Sequence, residues 1–69
     1  MDIEFIEGRV DEIISVLEKE VMEVIADESL DKKQTNLRIK PLTSTKQILL
    51  NAVESIKMVD RVNQEELAK

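Results

Sequence analysis

The sequence lacks cysteine, histidine, tryptophan and tyrosine, and it has one glycine (Gly8), one proline (Pro41) and one aromatic residue (Phe5). Without cysteine the chain forms no disulfide, and without thiolates or imidazoles it has no ligand set for a structural zinc. A single glycine cannot build a glycine-rich phosphate loop. The scarcity of glycine and proline also argues against a turn-rich β-sandwich or barrel.

Catalytic chemistry is restricted to carboxylates, because nucleophile pairs of the Ser–His or Cys–His type need a histidine. Two acidic pairs, Glu7 with Asp11 and Glu23 with Asp27, have the i,i+4 spacing of neighbours on a helix. Di-metal helical bundles combine inward-facing glutamates with a Glu-x-x-His motif, which this sequence lacks. We therefore interpret the pairs as a solvated acidic face and expect no enzymatic activity, no metal and no cofactor.

No segment of the sequence suits a membrane span or a secretory signal. The longest apolar runs, Val24–Ala26 and Ile48–Leu50, have three residues each, whereas a spanning helix needs about 20. No basic segment precedes an apolar core of the signal-peptide kind. We therefore expect a cytoplasmic protein with no membrane partner.

The chain has 69 residues, of which 23 are Leu, Ile, Val or Phe, so its composition is not that of a disordered protein. A domain of this length buries only about 60% of its unfolded surface. Its core alone gives marginal stability, so a further stabilising element (here called a staple) such as a disulfide, a metal site or self-association is usually needed. With disulfides and zinc excluded, self-association is the staple that remains.

A first amphipathic helix is predicted from about residue 2 to residue 28. Asp2 is a suitable N-cap, and the apolar residues that follow fall within an arc of about 120° at the helical period. Most of the remaining surface of this helix is acidic. The arc contains Ile3, Ile6, Val10, Ile13, Ile14, Leu17, Val21, Val24 and Ile25.

Residues 29–43 interrupt this period and predict a basic loop. Within it, residues 36–40 include an alternation of apolar and charged residues, Leu37 to Lys40, that is typical of a short extended segment. Pro41 disfavours helix at the preceding residue. A capping box of Ser44 and Gln47 then predicts a second helix from about 45 to 67.

Two long amphipathic helices joined by a loop predict an all-α helical hairpin. Each apolar stripe is too wide for one neighbouring helix to cover, so we expect a second copy of the chain and a dimeric four-helix bundle. Asn63 either fixes the register of that bundle or lies in a frayed helix end. The predicted oligomer interface consists of Ile6, Val10, Ile13, Leu17, Val21, Val24, Leu49, Ala52, Ile56, Val59 and Asn63.

Charge is distributed in blocks along the chain. Residues 1–31 carry eleven acidic and two basic residues, a net charge of −9, whereas residues 32–53 carry five basic residues and no acidic one. Residues 54–69 have a net charge of −1, which brings the whole chain to −5. The basic block either complements the end of the first helix, docks on an acidic helix of a neighbouring copy, or contacts phosphates. Its residues are Lys32, Lys33, Arg38, Lys40 and Lys46.

These features favour a small non-enzymatic homo-oligomer that acts through helix faces, as an adaptor, inhibitor or assembly subunit with a protein target. The alternative is a nucleic-acid-associated regulator that binds phosphates through the basic segment 32–46. The overall acidity and the absence of aromatic stacking residues argue against the alternative.

Overall fold

The computed structural model describes residues 1–68 and contains two helices. α1 spans Ile3–Ala26 and α2 spans Lys32–Leu67, and residues 27–31 connect them. The described residues include no strand. The prediction of an all-α helical hairpin is therefore confirmed.

α1 begins and ends at polar side chains that satisfy free backbone groups. The Phe5 backbone N–H donates to Asp2 Oδ1 at 3.0 Å, which caps the first turn as predicted. At the other end, Asp27 Oδ1 accepts from the Ser29 backbone N–H at 3.0 Å and from Ser29 Oγ at 2.6 Å. These bonds hold a tight turn and lower the pKa of the Asp27 carboxyl.

α2 begins about thirteen residues earlier than the sequence pattern predicts, so the prediction of a loop at 29–43 is wrong for residues 32–43. Asp31 is the N-cap, and it exchanges two hydrogen bonds with Gln34 in a capping box, Gln34 N–H to Asp31 Oδ1 at 2.8 Å and Asp31 N–H to Gln34 Oε1 at 3.1 Å. This box fixes the start of the helix. Ser44 therefore lies inside α2 and does not cap it.

The extended segment predicted at 36–40 is also wrong, because these residues are helical. Ile39 is half-buried, whereas Leu37 is exposed, as a helical rather than a two-residue period requires. Pro41 lies inside the helix despite lacking an N–H. Hydroxyls on the next turn bond to carbonyls around it: Thr43 Oγ1 to Ile39 O and Lys40 O, and Thr45 Oγ1 to Pro41 O at 2.7 Å.

The two helices pack antiparallel along a seam with coiled-coil spacing. Glu18 pairs with Lys46 and Glu7 with Lys57, so eleven residues back along α1 match eleven residues forward along α2. Ile14 and Val53 lie between these two pairs and are the buried residues of the described chain. The covered positions recur at steps of three and four. In α2 they are Thr35, Ile39, Leu42, Lys46, Leu49, Val53, Ile56 and Asp60.

The hairpin is a thin slab with a large surface. Its principal extents are 60 × 18 × 8 Å, so it is about one helix thick. Its accessible surface is 5697 Å², whereas a compact protein of this mass, 7.9 kDa, exposes about 4,400 Å². The excess is about 1,300 Å² per chain. In the described residues, no helix is both long and apolar enough to cross a membrane.

Candidate interaction surface

One broad side of the slab carries the ion pairs that join the helices. Lys46 Nζ lies 3.0 Å from Glu18 Oε1, and Lys57 Nζ lies 2.6 Å from Glu7 Oε2. The hydrogen bond that the Lys57 amine donates to Glu7 raises the pKa of this amine, with weaker help from the charges of Glu7, Glu54 and Asp11. We call this side the ion-pair face.

The other side of α2 is free of charge over six turns. At 100° per residue, the charged residues between 41 and 62 (Lys46, Glu54, Lys57, Asp60 and Arg61) all fall within an arc of about 120°. That arc lies toward α1 and forms the α2 part of the ion-pair face. The opposite arc, which we call the uncharged face, contains Pro41, Ile48, Ala52, Ser55, Val59 and Val62, with small or polar uncharged residues between them.

The apolar residues of the uncharged face are open to solvent in the hairpin. Ile48 is 65% exposed and Val59 is 66% exposed, although both are large aliphatic side chains. α1 extends this surface, because Ile6 and Ile13 lie on the side of its seam away from Glu18, and Ile13 is 49% exposed. A contiguous apolar surface of this kind is typical of a contact site rather than of ordinary scattered exposure.

A shallow groove marks the open end of the uncharged face, where the chain begins. Met1, Ser55, Ile56 and Val59 line it, and all of them except Ser55 are apolar. Ile56, which belongs to the seam, is half-buried at the base of the groove, whereas Val59 and Ser55 are exposed at its edges. The groove is therefore suited to an aliphatic side chain from another helix.

The residues predicted as an oligomer interface divide into two groups. Ile6, Val10, Leu17, Val21, Val24, Leu49 and Ile56 are partly covered at the packing of α1 on α2. Ile13, Ala52, Val59 and Asn63 are exposed. The seam of α2 therefore runs through Val53 and Asp60, one residue beyond the predicted Ala52 and Val59.

The reason for this difference is the polar content of the α2 seam. Three half-buried positions of the α2 seam hold polar residues, Thr35, Lys46 and Asp60. A pattern of apolar residues therefore does not include these positions. Lys46 fits because its amine reaches Glu18 at the edge of the seam while its methylenes lie along it. The rotation leaves Ala52 and Val59 free to contribute to the uncharged face.

The five predicted phosphate-contact residues lie on a helix rather than on a loop, and they do not form one cluster. Lys32, Lys33 and Lys40 line an open pocket with Asn36 and Leu37 on the first turns of α2. None of these three lysines forms an ion pair with a residue of the described chain. We call Lys32, Lys33 and Lys40 the lysine cluster.

The other two predicted basic residues lie near acidic residues of the hairpin. Arg38 lies near Asp27, whose pKa it helps to lower. Lys46 bonds to Glu18 on the ion-pair face. Neither of them lines the pocket of the lysine cluster.

The outer surface of α1 is mostly acidic and carries few directed contacts. Arg9 bonds to Glu12 at 3.1 Å and lies 5.1 Å from the ring centre of the exposed Phe5. Among residues 1–68, no three acidic side chains converge in a way that could hold a metal ion. Glu23 and Asp27 are both exposed, and the Asp27 carboxylate bonds to Ser29 in the turn rather than sharing a site with Glu23.

Comparison of the chain with protein-family models, with curated proteins and with solved structures finds no significant match.

Proposed function

We propose that the protein is a non-catalytic, homo-oligomeric interaction module, and that its basic unit is a dimeric four-helix bundle. The observation that supports this proposal is the uncharged face, where large aliphatic residues such as Ile48 and Val59 are about two-thirds exposed in the hairpin. Burial of such residues stabilises a small protein by roughly 1.5–3 kcal/mol each. The hairpin alone does not obtain this stabilisation.

The area of the hairpin supports the same proposal. The surface in excess of a compact monomer is about 1,300 Å² per chain. In a standard stable interface each partner buries about 800 Å², which is less than this excess. Two copies together would cover about 2,600 Å², within the range of obligate homodimers. The remaining exposed surface, chiefly the acidic outer side of α1, is then the part that an adaptor or assembly subunit offers to a target protein.

Size exclusion with light scattering and refractive-index detection tests the proposal. We expect the mass of two 7.9 kDa chains at micromolar concentration. Val59→Lys should return the mass to one chain, because it places a charge within the apolar interface. Met22→Lys is the matched control, because Met22 is 67% exposed and lies away from the uncharged face. A wild-type monomer at every concentration would refute the proposal.

A second candidate function is binding to the phosphates of a nucleic acid, and the lysine cluster favours it. Its three amines have no ion-pair partner in the described chain, and they flank the N-terminal turns of α2. The chain contains no Trp or Tyr, so strong absorbance at 260 nm in the eluted peak would report bound nucleic acid. Binding that weakens steeply with salt would support this function, whereas a peak without such absorbance would count against it.

A further inference from the structure

α2 is longer than α1, so its last turns extend beyond the hairpin. Because Glu7 pairs with Lys57, the register places Ile3, the first residue of α1, beside about Arg61. Residues 62–67 therefore have no α1 neighbour. Val62 and Leu67 are 49% and 78% exposed there. We call residues 62–67 the overhang.

α2 differs in charge between its two halves. Its last turns, residues 54–67, carry four acidic and two basic residues, a net charge of −2. The first half of α2, residues 32–46, carries five basic residues and no acidic one. A partner that brings an acidic helix end to this basic half, and a basic half to this acidic end, would be electrostatically complementary.

A second copy of the same chain is that partner. We propose that two copies pair α2 against α2 in antiparallel orientation through the uncharged face, so that the overhang of each lies beside residues 36–41 of the other, which include Lys40 of the lysine cluster. This inference rests on the proposed homo-oligomer and adds its orientation. A parallel pair would set the two basic halves against each other and the two acidic ends together, which is unfavourable at both ends.

The geometry of α2 fits an antiparallel pair centred on the uncharged face. The face runs from Pro41 to Val62, which is about 33 Å at 1.5 Å per residue, and its midpoint lies at Asn51 and Ala52. An axis at that midpoint places Val62 beside the other copy's Pro41. It also places Glu65 within about one turn of the other copy's Lys40.

The side chains near the axis support a close approach. Asn51, Ala52 and Ser55 are small and uncharged, and helices with such residues at the contact pack at the short end of the usual 8–10 Å separation. Lys40 and Glu65 lie along the same edge of the uncharged face at the helical period. In an antiparallel pair, like edges meet, so each dimer contains this lysine–glutamate contact twice.

Cysteine cross-linking tests the orientation directly, because the chain has no cysteine of its own. Ala52→Cys should form a disulfide-linked dimer under mild oxidation, since position 52 lies beside the axis. Pro41→Cys and Val62→Cys should each fail to cross-link alone, because identical positions are then about 30 Å apart. An equal mixture of those two variants should cross-link. Efficient cross-linking of Pro41→Cys or Val62→Cys alone would overturn the antiparallel orientation.

Charge reversal tests the contact at the ends. Lys40→Glu alone should weaken the dimer at least threefold at low salt, and Glu65→Lys alone should do the same, because each places like charges together twice. A mixture of the two variants should restore a heterodimer of wild-type affinity. If both single variants dimerise as the wild type does, the orientation proposed here is wrong while the homo-oligomer stands. If the wild-type chain is monomeric, the proposed function itself fails.

Discussion

The packing of α1 on α2 predicts the effect of deleting one buried side chain. Ile14 is 7% exposed and lies between the two interhelical ion pairs. Ile14→Ala removes three carbon atoms from this position. At about 0.8 kcal/mol per buried carbon, and with 93% of the residue covered, the transfer contribution is about 2.2 kcal/mol. The cavity left behind raises the expected loss of unfolding free energy to about 2–3 kcal/mol.

The value should fall at the low end of the range for such substitutions, because few neighbouring residues are fully buried and the slab can close around the gap. Met22→Ala is the control: Met22 is 67% exposed, so its truncation should cost less than about 0.5 kcal/mol. Urea unfolding followed by circular dichroism at 222 nm, with all proteins at one concentration, gives both values. Equal midpoints for the two variants would refute the seam described for the hairpin.

Three further substitutions and one titration test other parts of the hairpin. Asp31→Ala should lower the unfolding free energy by about 1 kcal/mol, because it removes the capping box of α2, whereas Ser44→Ala should have little effect; the reverse order in urea unfolding would return the helix start to residue 45. Pro41→Ala should stabilise the protein by about 1–3 kcal/mol, because proline is unfavourable inside a helix, and an unchanged or lower urea midpoint would contradict a continuous α2. Because folding raises the pKa of Lys57 above its usual 10.5, its contribution to stability is complete below pH 10.5 and is lost as pH rises through the higher folded value. The melting temperature should therefore fall less steeply above pH 10.5 in Glu7→Gln than in the wild-type chain. Parallel profiles would show that the contact between Lys57 and Glu7 does not contribute to the pH dependence of stability.

Hydrophobic periodicity predicts the hairpin because apolar residues at helical spacing are abundant in both helices. The same method misplaces the start of α2. The alternation from Leu37 to Lys40 covers too few residues to separate a period of two from one of 3.6. A correct signal was present in the sequence, since Asp31 and Gln34 have the spacing of a capping box. Pro41 opposes this signal, because proline disfavours a helix at and before its own position.

The seam and the uncharged face differ in how far sequence alone predicts them. Ile14 and Leu49 belong to apolar stripes and are recognised as inward-facing. Lys46 and Asp60 could not be placed in the seam from the sequence, because a charged residue is accommodated there only when the partner helix supplies a neighbour such as Glu18. The exposed position of Val59 follows from that rotation and is therefore a result of packing rather than of local pattern.

The 8 Å thickness of the slab has a consequence for how the stability of the protein depends on its concentration. A single layer of two helices has no interior across its thickness. Every residue therefore lies close to solvent on at least one broad side of the slab. Under the proposed pairing, the second copy supplies the missing layer. Folding and assembly then form a single equilibrium, in which dilution acts as a denaturant and the amount of protein made determines how much of it is folded.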